Sequence, residues 1–252
     1  MNGMKAKLAA GETVFGQMVL ELFTPGVAPV MSNAGLEFVI YDMEHGRCDI
    51  HLLSQMITSC RGTRLTPIAR APDLGAAPLG RLLDVGAKGV MIPRVETGEQ
   101  MRDAVAQLKY PPAGRRGVAL GLQHDDYAAR GADYFAQANE DTVVIAIVET
   151  ARGLENLDAI VSTPGLDIAW MGHYDLTVSL GIPAQFDHPR FLEAMDLLAA
   201  SCRRHGKAAG FLPANPADAT HWIGKGFRAI SIGSDVGVYS SALSAFLRAV
   251  KR

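Results

Sequence analysis

The chain has 252 residues, 48% of them hydrophobic and 20% charged, with a formal net charge of −2. That composition fits one large globular domain or two small ones; with no linker along the chain it is read as a single domain over residues 1–252, long enough to bury roughly three quarters of its unfolded surface without covalent staples. The near-neutral balance and scattered basic residues argue against a nucleic-acid or membrane partner.

The N-terminal stretch "MNGMKAKLAAGETVFG" carries no long apolar run, and the three cysteines, Cys48, Cys60 and Cys202, are odd in number and lack zinc-ligand spacing. Both features set the expectation of a reduced, cytoplasmic setting. Eight short apolar runs follow in chain order: 13–20, 37–43, 65–71, 89–95, 142–149, 166–172, 208–213 and 229–235. Several are continuously apolar, as strands covered on both faces are. Amphipathic stretches lie between them, such as "HLLSQMITSC", "LGRLLDVGA", "GEQMRDAVAQL" and "PRFLEAMDLLAASCRRHG". "ETGEQ" opens one of these with a helix-start signal, and "RRHG" closes another with basic residues and a glycine. Repeated strand–helix alternation implies parallel pairing with right-handed crossovers. Eight units in about 250 residues fit a (β/α)8 barrel. A doubly wound open sheet is the competing fold, disfavoured because no GxGxxG follows the first strand. One connection, residues 110–140, is unusually long. It contains "KYPPAGRRG" and predicts a short helix around "YAARGADYFAQA"; such a loop is expected to be functional or to pack against a neighbouring subunit.

In a barrel, chemistry gathers where strands meet their following loops. The strand ends offer Glu21; Asp42, Glu44 and His45; Arg70; Arg94 and Glu96; Glu149; Gly172, His173, Tyr174 and Asp175; then "FLPANP" and "GSD". Glu149 and Asp175 end adjacent strands, and two carboxylates in a watery mouth suit a hard divalent cation such as Mg²⁺ or Mn²⁺. The competing reading makes Glu149 a cap of the next helix and Asp175 the N-cap of "LTVSLG". His45 is a candidate general base that Asp84 could orient, or simply a structural histidine. Arg70 suits a carboxylate or an enolate oxygen, or a salt bridge to Asp42 or Glu44. None of the seven lysines ends a strand, which disfavours imine chemistry, and no GxSxG elbow is present. His51, His188, His205 and His221 fall away from the strand ends and are expected at the surface.

"DMEHG", "ARAP", "LLDVGAKGVMIPRVET", "YPPAGRRG", "IVET" and "GHYDLTVSLG" occur in that order. Together they resemble the HpcH/HpaI aldolase family over about residues 13–240. The resemblance implies a (β/α)8 TIM barrel of the phosphoenolpyruvate/pyruvate type, its last helix swapped between subunits of a homotrimer or homohexamer. It implies reversible cleavage of a 4-hydroxy-2-oxo acid to pyruvate, or a close 2-oxo acid such as hydroxypyruvate, and a small aldehyde. Glu149 and Asp175 would hold a divalent metal (Mg²⁺, Mn²⁺ or Co²⁺). Arg70 would face the pyruvate C2 oxygen, with Asp42 and Glu44 supporting it. His45, paired with Asp84, would act as base through water. Amides around Gly172–Asp175 would hold the pyruvate carboxylate, and Gln123, His173, Tyr174, Phe211 and Leu212 would shape the pocket. Two departures stand out. Ile147 occupies a position where family members often carry Gln. "ALGLQHDDY", with Gln123 and His124, lacks the arginine of relatives that act on a carboxylated semialdehyde. That loss argues against a long dicarboxylic substrate and for a smaller or hydroxylated aldehyde, such as glycolaldehyde or lactaldehyde. The rival readings are a citryl- or malyl-CoA-type lyase of the same superfamily, a non-catalytic metal- or ligand-binding barrel, and a phosphosugar enzyme using the glycine of "SIGSD".

Overall fold

The computed structural model describes residues 2–75 and 78–251. All eight expected strands form: β1 (Val14–Val19), β2 (Phe38–Asp42), β3 (Thr66–Arg70), β4 (Gly89–Ile92), β5 (Val143–Val148), β6 (Ile168–Met171), β7 (Ala208–Phe211) and β8 (Phe227–Ser234). They pair in parallel in chain order and close β1 onto β8, which makes a barrel and excludes the open sheet.

Strand side chains alternate, so each strand sends every second residue into the barrel. The inward set is Phe38 and Ile40 from β2, Ile68 from β3, Met91 from β4, Ile145 and Ile147 from β5, and Trp170 from β6. Large residues meet small ones. A Cβ on Gly16 would lie 2.2 Å from the Phe38 ring, and one on Gly210 would lie 2.2 Å from Trp170. These two glycines therefore make room for the two largest interior rings. The other half of each strand, with Val39, Tyr41, Val144 and Val148, packs outward against the helices.

The helix Gly3–Ala9 closes the base of the barrel. Its Met4 joins the interior cluster, and Asn2 caps it by accepting from the Met4 amide at 2.9 Å. The sequence signals hold locally. Helix Gly98–Leu108 opens with a reciprocal capping box between Thr97 and Gln100. Helix Pro189–Arg204 starts on proline and ends on Arg203 and Arg204. The stretch 79–87 yields only Gly80–Asp84, because Gly86, at φ 99°, turns the chain toward β4. The long connection is ordered by a 3-10 turn, Gln123–Asp125, and a helix, Asp133–Asp141. Asn139 ties it down: its Oδ1 accepts from Tyr110 N at 2.7 Å and its Nδ2 donates to Tyr110 O at 3.0 Å.

The terminal helix Asp235–Val250 behaves differently from the others. Only Asp235 is buried, while Tyr239, Leu243, Phe246 and Val250 are exposed. Phe15 on β1 and Ile232 on β8 are exposed as well. Among the described residues no helix is long and apolar enough to cross a membrane.

Candidate active site

The charged residues at the mouth continue the inward rows of their strands. Asp42 follows Phe38 and Ile40, Arg70 follows Thr66 and Ile68, and Glu149 follows Ile145 and Ile147. Asp42 and Arg70 are register partners across β2 and β3. Asp42 is fully buried. Its Oδ1 accepts from the amides of Glu44 (2.8 Å) and His45 (3.3 Å), which folds the chain into a tight turn. Its Oδ2 accepts from Arg70 Nη1 at 3.3 Å, and Glu44 pairs with the other Arg70 amine. The salt-bridge reading of Arg70 is therefore real. It fixes the guanidinium, which still lines the mouth cavity. The His45 ring is half-exposed on the cavity wall, with Nε2 3.9 Å from Glu44 Oε2.

Glu149 sits at the top of β5, 2% exposed. Its Oε1 accepts from Arg94 N at 2.7 Å. Beneath it lies an apolar floor that includes Met91, Ile147 and Trp170; Ile147 thus adds no polar group near the carboxylate. Burial pushes the Glu149 carboxyl up to about 7. The Arg94 amide and the Arg70 charge oppose the shift, while the charges of Glu44 and Asp175 add to it. Gly172 ends β6 beside it. A Cβ there would fall 2.5 Å from Glu149 Oε2, so glycine keeps the space next to this oxygen open. Asp175 lies in the first turn of the helix His173–Ser179, half-exposed, with Oδ1 3.8 Å from Arg94 Nη2.

Neither acid serves as a helix cap. Thr150 is the N-cap after β5 and accepts from Gly153 N, and Gly172 holds the N-cap position before Asp175. The helix-capping alternative for both acids is thus set aside, and their oxygens face the mouth.

A cavity of about 1050 Å³ opens from these residues and continues down the outer side of β8, past Ile230, Ile232 and Val238. Gly172, His173, Tyr174 and Leu212 line it. Burial lowers the His173 pKa to about 4, against weaker pulls from Asp218 and Asp175, so its imidazole is neutral. The ring packs against Tyr174, Phe186 and Phe211 at centroid distances of 4.6, 5.2 and 5.3 Å.

Three expected site residues fall elsewhere within this chain. Phe211 belongs to the outward row of β7 and lies behind His173, so it supports the wall without lining the cavity. Asp84 ends the helix that leads into the start of β4, at the far end of the barrel from His45, and binds Arg116 Nη2 at 2.7 Å. Gln123 is bonded to Ser54 and Thr58 on the helix Ile50–Ser59. One residue at the mouth went unread in the sequence. Asp235 accepts from the amides of Leu20, Glu21 and Leu22 and so holds the loop after β1; its only signal was "GSD" at the end of strand 8.

The donor set fits a hard divalent ion. Two carboxylates from neighbouring staves offer oxygens beside a Gly172-sized opening. Among the described residues no group of three or more His, Cys, Asp or Glu side chains could hold a metal ion. Such an ion would complete its shell with water and ligand oxygens, the habit of Mg²⁺ and Mn²⁺.

The closed eight-stave barrel thus presents two acids, a fixed arginine and a histidine at its C-terminal mouth. Residues 17–242 match the HpcH/HpaI aldolase/citrate lyase family model, and the chain belongs to that family. It is similar to the 5-keto-4-deoxy-D-glucarate aldolase of Klebsiella pneumoniae subsp. pneumoniae, 33% identical over all of this chain and 97% of that one. The HpcH/HpaI aldolase of Desulfitobacterium hafniense superposes with a TM-score of 0.93 at 29% identity, over 98% of this chain and 96% of the other. The citrate lyase beta subunit of M. tuberculosis, complexed with oxaloacetate and magnesium, shares the fold at a TM-score of 0.60 and 19% identity, over 90% of this chain and 93% of the other.

Proposed function

We propose that the protein is a divalent-metal-dependent aldolase. It reversibly cleaves a 4-hydroxy-2-oxo acid to pyruvate, or hydroxypyruvate, and a small aldehyde. The observation that carries this reading is the convergence of Glu149, Asp175, Arg70 and His45 on one cavity, with neither acid used as a helix cap. Glu149 and Asp175 are the residues that would hold the ion. When bound, it supplies Lewis-acid polarisation of the 2-oxo group.

The chain's own groups do the rest. Arg70, pinned by Asp42 and Glu44, presents a fixed positive charge toward the oxygen that becomes an enolate as the carbon–carbon bond breaks. Its two acidic partners keep it from reorienting, so little reorganisation accompanies the charge movement. His45 takes the C4 hydroxyl proton on cleavage and, after enolate formation, the site returns a proton to the methylene carbon. Because its ring is exposed, it exchanges that proton with solvent water. The first-turn amides from His173 to Asp175 face the carboxylate of the 2-oxo acid. Neutral His173 and Leu212 bound the aldehyde side.

The curated relatives are named for a six-carbon keto-deoxy diacid. Retro-aldol cleavage of that diacid gives pyruvate and a three-carbon hydroxylated aldehyde that keeps the second carboxylate, which matches the partner read from the sequence in length and hydroxylation but not in lacking a carboxylate. The uncovered outer faces of β1 and β8, beside an exposed terminal helix, support a homo-oligomer in which a second copy's terminal helix covers them.

The test is a panel of aldehydes offered with pyruvate and Mg²⁺, Mn²⁺ or Co²⁺, scored for the aldol product, with acyl-CoA thioesters as the comparison arm. Product with at least one short hydroxyaldehyde, lost on chelation, is expected. Full activity in metal-stripped protein, or cleavage of thioesters alone, would refute the reading.

A further inference from the structure

The base of the barrel holds a second cavity, of about 360 Å³, at the opposite end from the mouth. It lies under the starts of β3, β4 and β5, where Leu65, Lys88 and Thr142 directly precede the strands. The interior layer of Ile68, Met91 and Ile145 stands between it and the active site. Its size falls in the range of small-molecule pockets, and among the described residues it shares no lining side chain with the mouth.

Two side chains in its wall are buried with polar atoms left unbonded. His124 is 5% exposed, and neither ring nitrogen makes a hydrogen bond within the described residues. Asp125 Oδ2 stands 4.0 Å from Nε2, and the Asp84 carbonyl pulls only weakly on the ring. Arg116 is buried too. Asp84 accepts from its Nη2 at 2.7 Å and the Tyr110 ring covers the guanidinium at 4.5 Å, while Nε has no partner. Polar groups buried in this state are costly unless something meets them. Lys88 enters the same wall. Among the described residues its three protons find one acceptor, the His124 carbonyl at 3.1 Å. Arg64 adds a further cation at the exposed rim. Burial, then the Arg116 charge, keep the His124 pKa below its ordinary value, so the ring is neutral and has one N–H to donate.

A cation does not fit this wall. Its acid, Asp141, is already engaged, and among the described residues no group of three or more His, Cys, Asp or Glu side chains could hold a metal ion. An apolar guest would leave Lys88, Arg116 and His124 unmatched. Donors from three separate segments, two of them charged, suit an acceptor whose oxygens point in several directions, a tetrahedral oxyanion rather than a flat carboxylate. We propose that the base cavity binds the phosphate group of a small compound, free or esterified, through Lys88, Arg116 and His124. Such a group also clasps a loop. Arg116 and His124 bracket residues 117–122, where Val118, Leu120 and Leu122 are exposed, so an anion held by both steadies the two stems at once. The site owes nothing to the aldolase chemistry at the mouth.

Inorganic phosphate and glycerol 3-phosphate are titrated calorimetrically, in separate runs, into the full chain in buffer freed of divalent ions, with acetate as the planar comparison. At least one phosphate is expected to bind tenfold or more tighter than acetate, and the tighter of the two identifies the source as free or esterified. Lys88→Met should weaken that binding by roughly tenfold, the loss of a charge-assisted bond. His124→Phe keeps the ring shape without its nitrogens and should weaken it by about threefold or more, while Lys88→Arg stays within about threefold of wild type. Hydrogen exchange on wild type needs no variant: saturating phosphate should slow the amides of residues 117–122. A variant without the wild-type circular dichroism spectrum is set aside, and the exchange result decides. The site is overturned if neither phosphate binds, if acetate binds as tightly, if folded Lys88→Met and His124→Phe keep full affinity, or if exchange over 117–122 does not move.

Discussion

Both ends of the barrel gather charge, and they use it in opposite ways. At the base, Lys5 meets Asp167 at 2.9 Å and the Thr142 carbonyl at 3.2 Å, while Asp167 also accepts from Val144 N at 2.8 Å. Buried Lys109 donates to the carbonyls of Asn139 and Thr142. Every one of these charges ends on protein atoms. At the mouth, Glu149 takes one amide, its second oxygen faces the gap left by Gly172, and Asp175 has only a loose arginine. Burial alone does not separate structural from chemical charge, since Lys109 and Glu149 are both buried and both shifted toward neutrality by desolvation. What separates them is whether the atom's remaining valence points at protein or at open space.

That contrast can be broken in graded steps. The largest effect is expected at the acids: Asp175→Ala or Glu149→Gln should cut pyruvate release by on the order of 10³-fold or more while the folded barrel remains. A circular dichroism spectrum like wild type, alongside a progress curve of the cleavage reaction, checks both halves. Removing the proton carrier is milder. His45→Ala should cost about 10²-fold in kcat, and an unchanged rate would take His45 out of that role. Smaller again is the pH effect on metal binding. With its carboxyl at about 7, Glu149 must lose its proton to bind an ion. Apparent Mn²⁺ affinity should therefore fall by up to about tenfold per pH unit below 7 and flatten above it; a flat profile from pH 5 to 8 would contradict this.

The smallest effect on catalysis belongs to the base. Lys109→Met should leave kcat within about twofold, in keeping with a surface-independent structural role. Its signature is in stability. Desolvation, then Lys5, lower the folded pKa of Lys109 to about 8 from 10.5. The unfolded chain then binds more protons between those values, so stability gains with pH across that window and the gain is complete above 10.5. Denaturant melts at pH 8 and pH 10.5 should show that increment in wild type and lose it in the variant.

The staves were legible because buried parallel strands are near-continuous apolar runs, and all but β7 ran out into titratable residues. Asp42, Arg70 and Glu149 were legible for a related reason: each keeps the parity of the apolar residues below it. The same parity speaks against Phe211, which alternates with the inward Ala208, Gly210 and Leu212. Asp84 and Gln123 could not be placed this way. Both sit on the outer layer, where helix length and loop path decide the end of the barrel a side chain reaches. Arg94 was visible as a strand-end charge, but its left-handed backbone has no sequence marker, since arginine is an unusual choice there.

The hold of Asp235 on the amides of Leu20, Glu21 and Leu22 joins the last helix of the chain to the first rim segment of the mouth. A protein cut before residue 235 to remove the exposed terminal helix would therefore shed a rim support along with the proposed assembly surface. Its weakened turnover would report two injuries at once. A shortened version that ends just beyond Asp235 keeps the anchor and lets each injury be weighed separately.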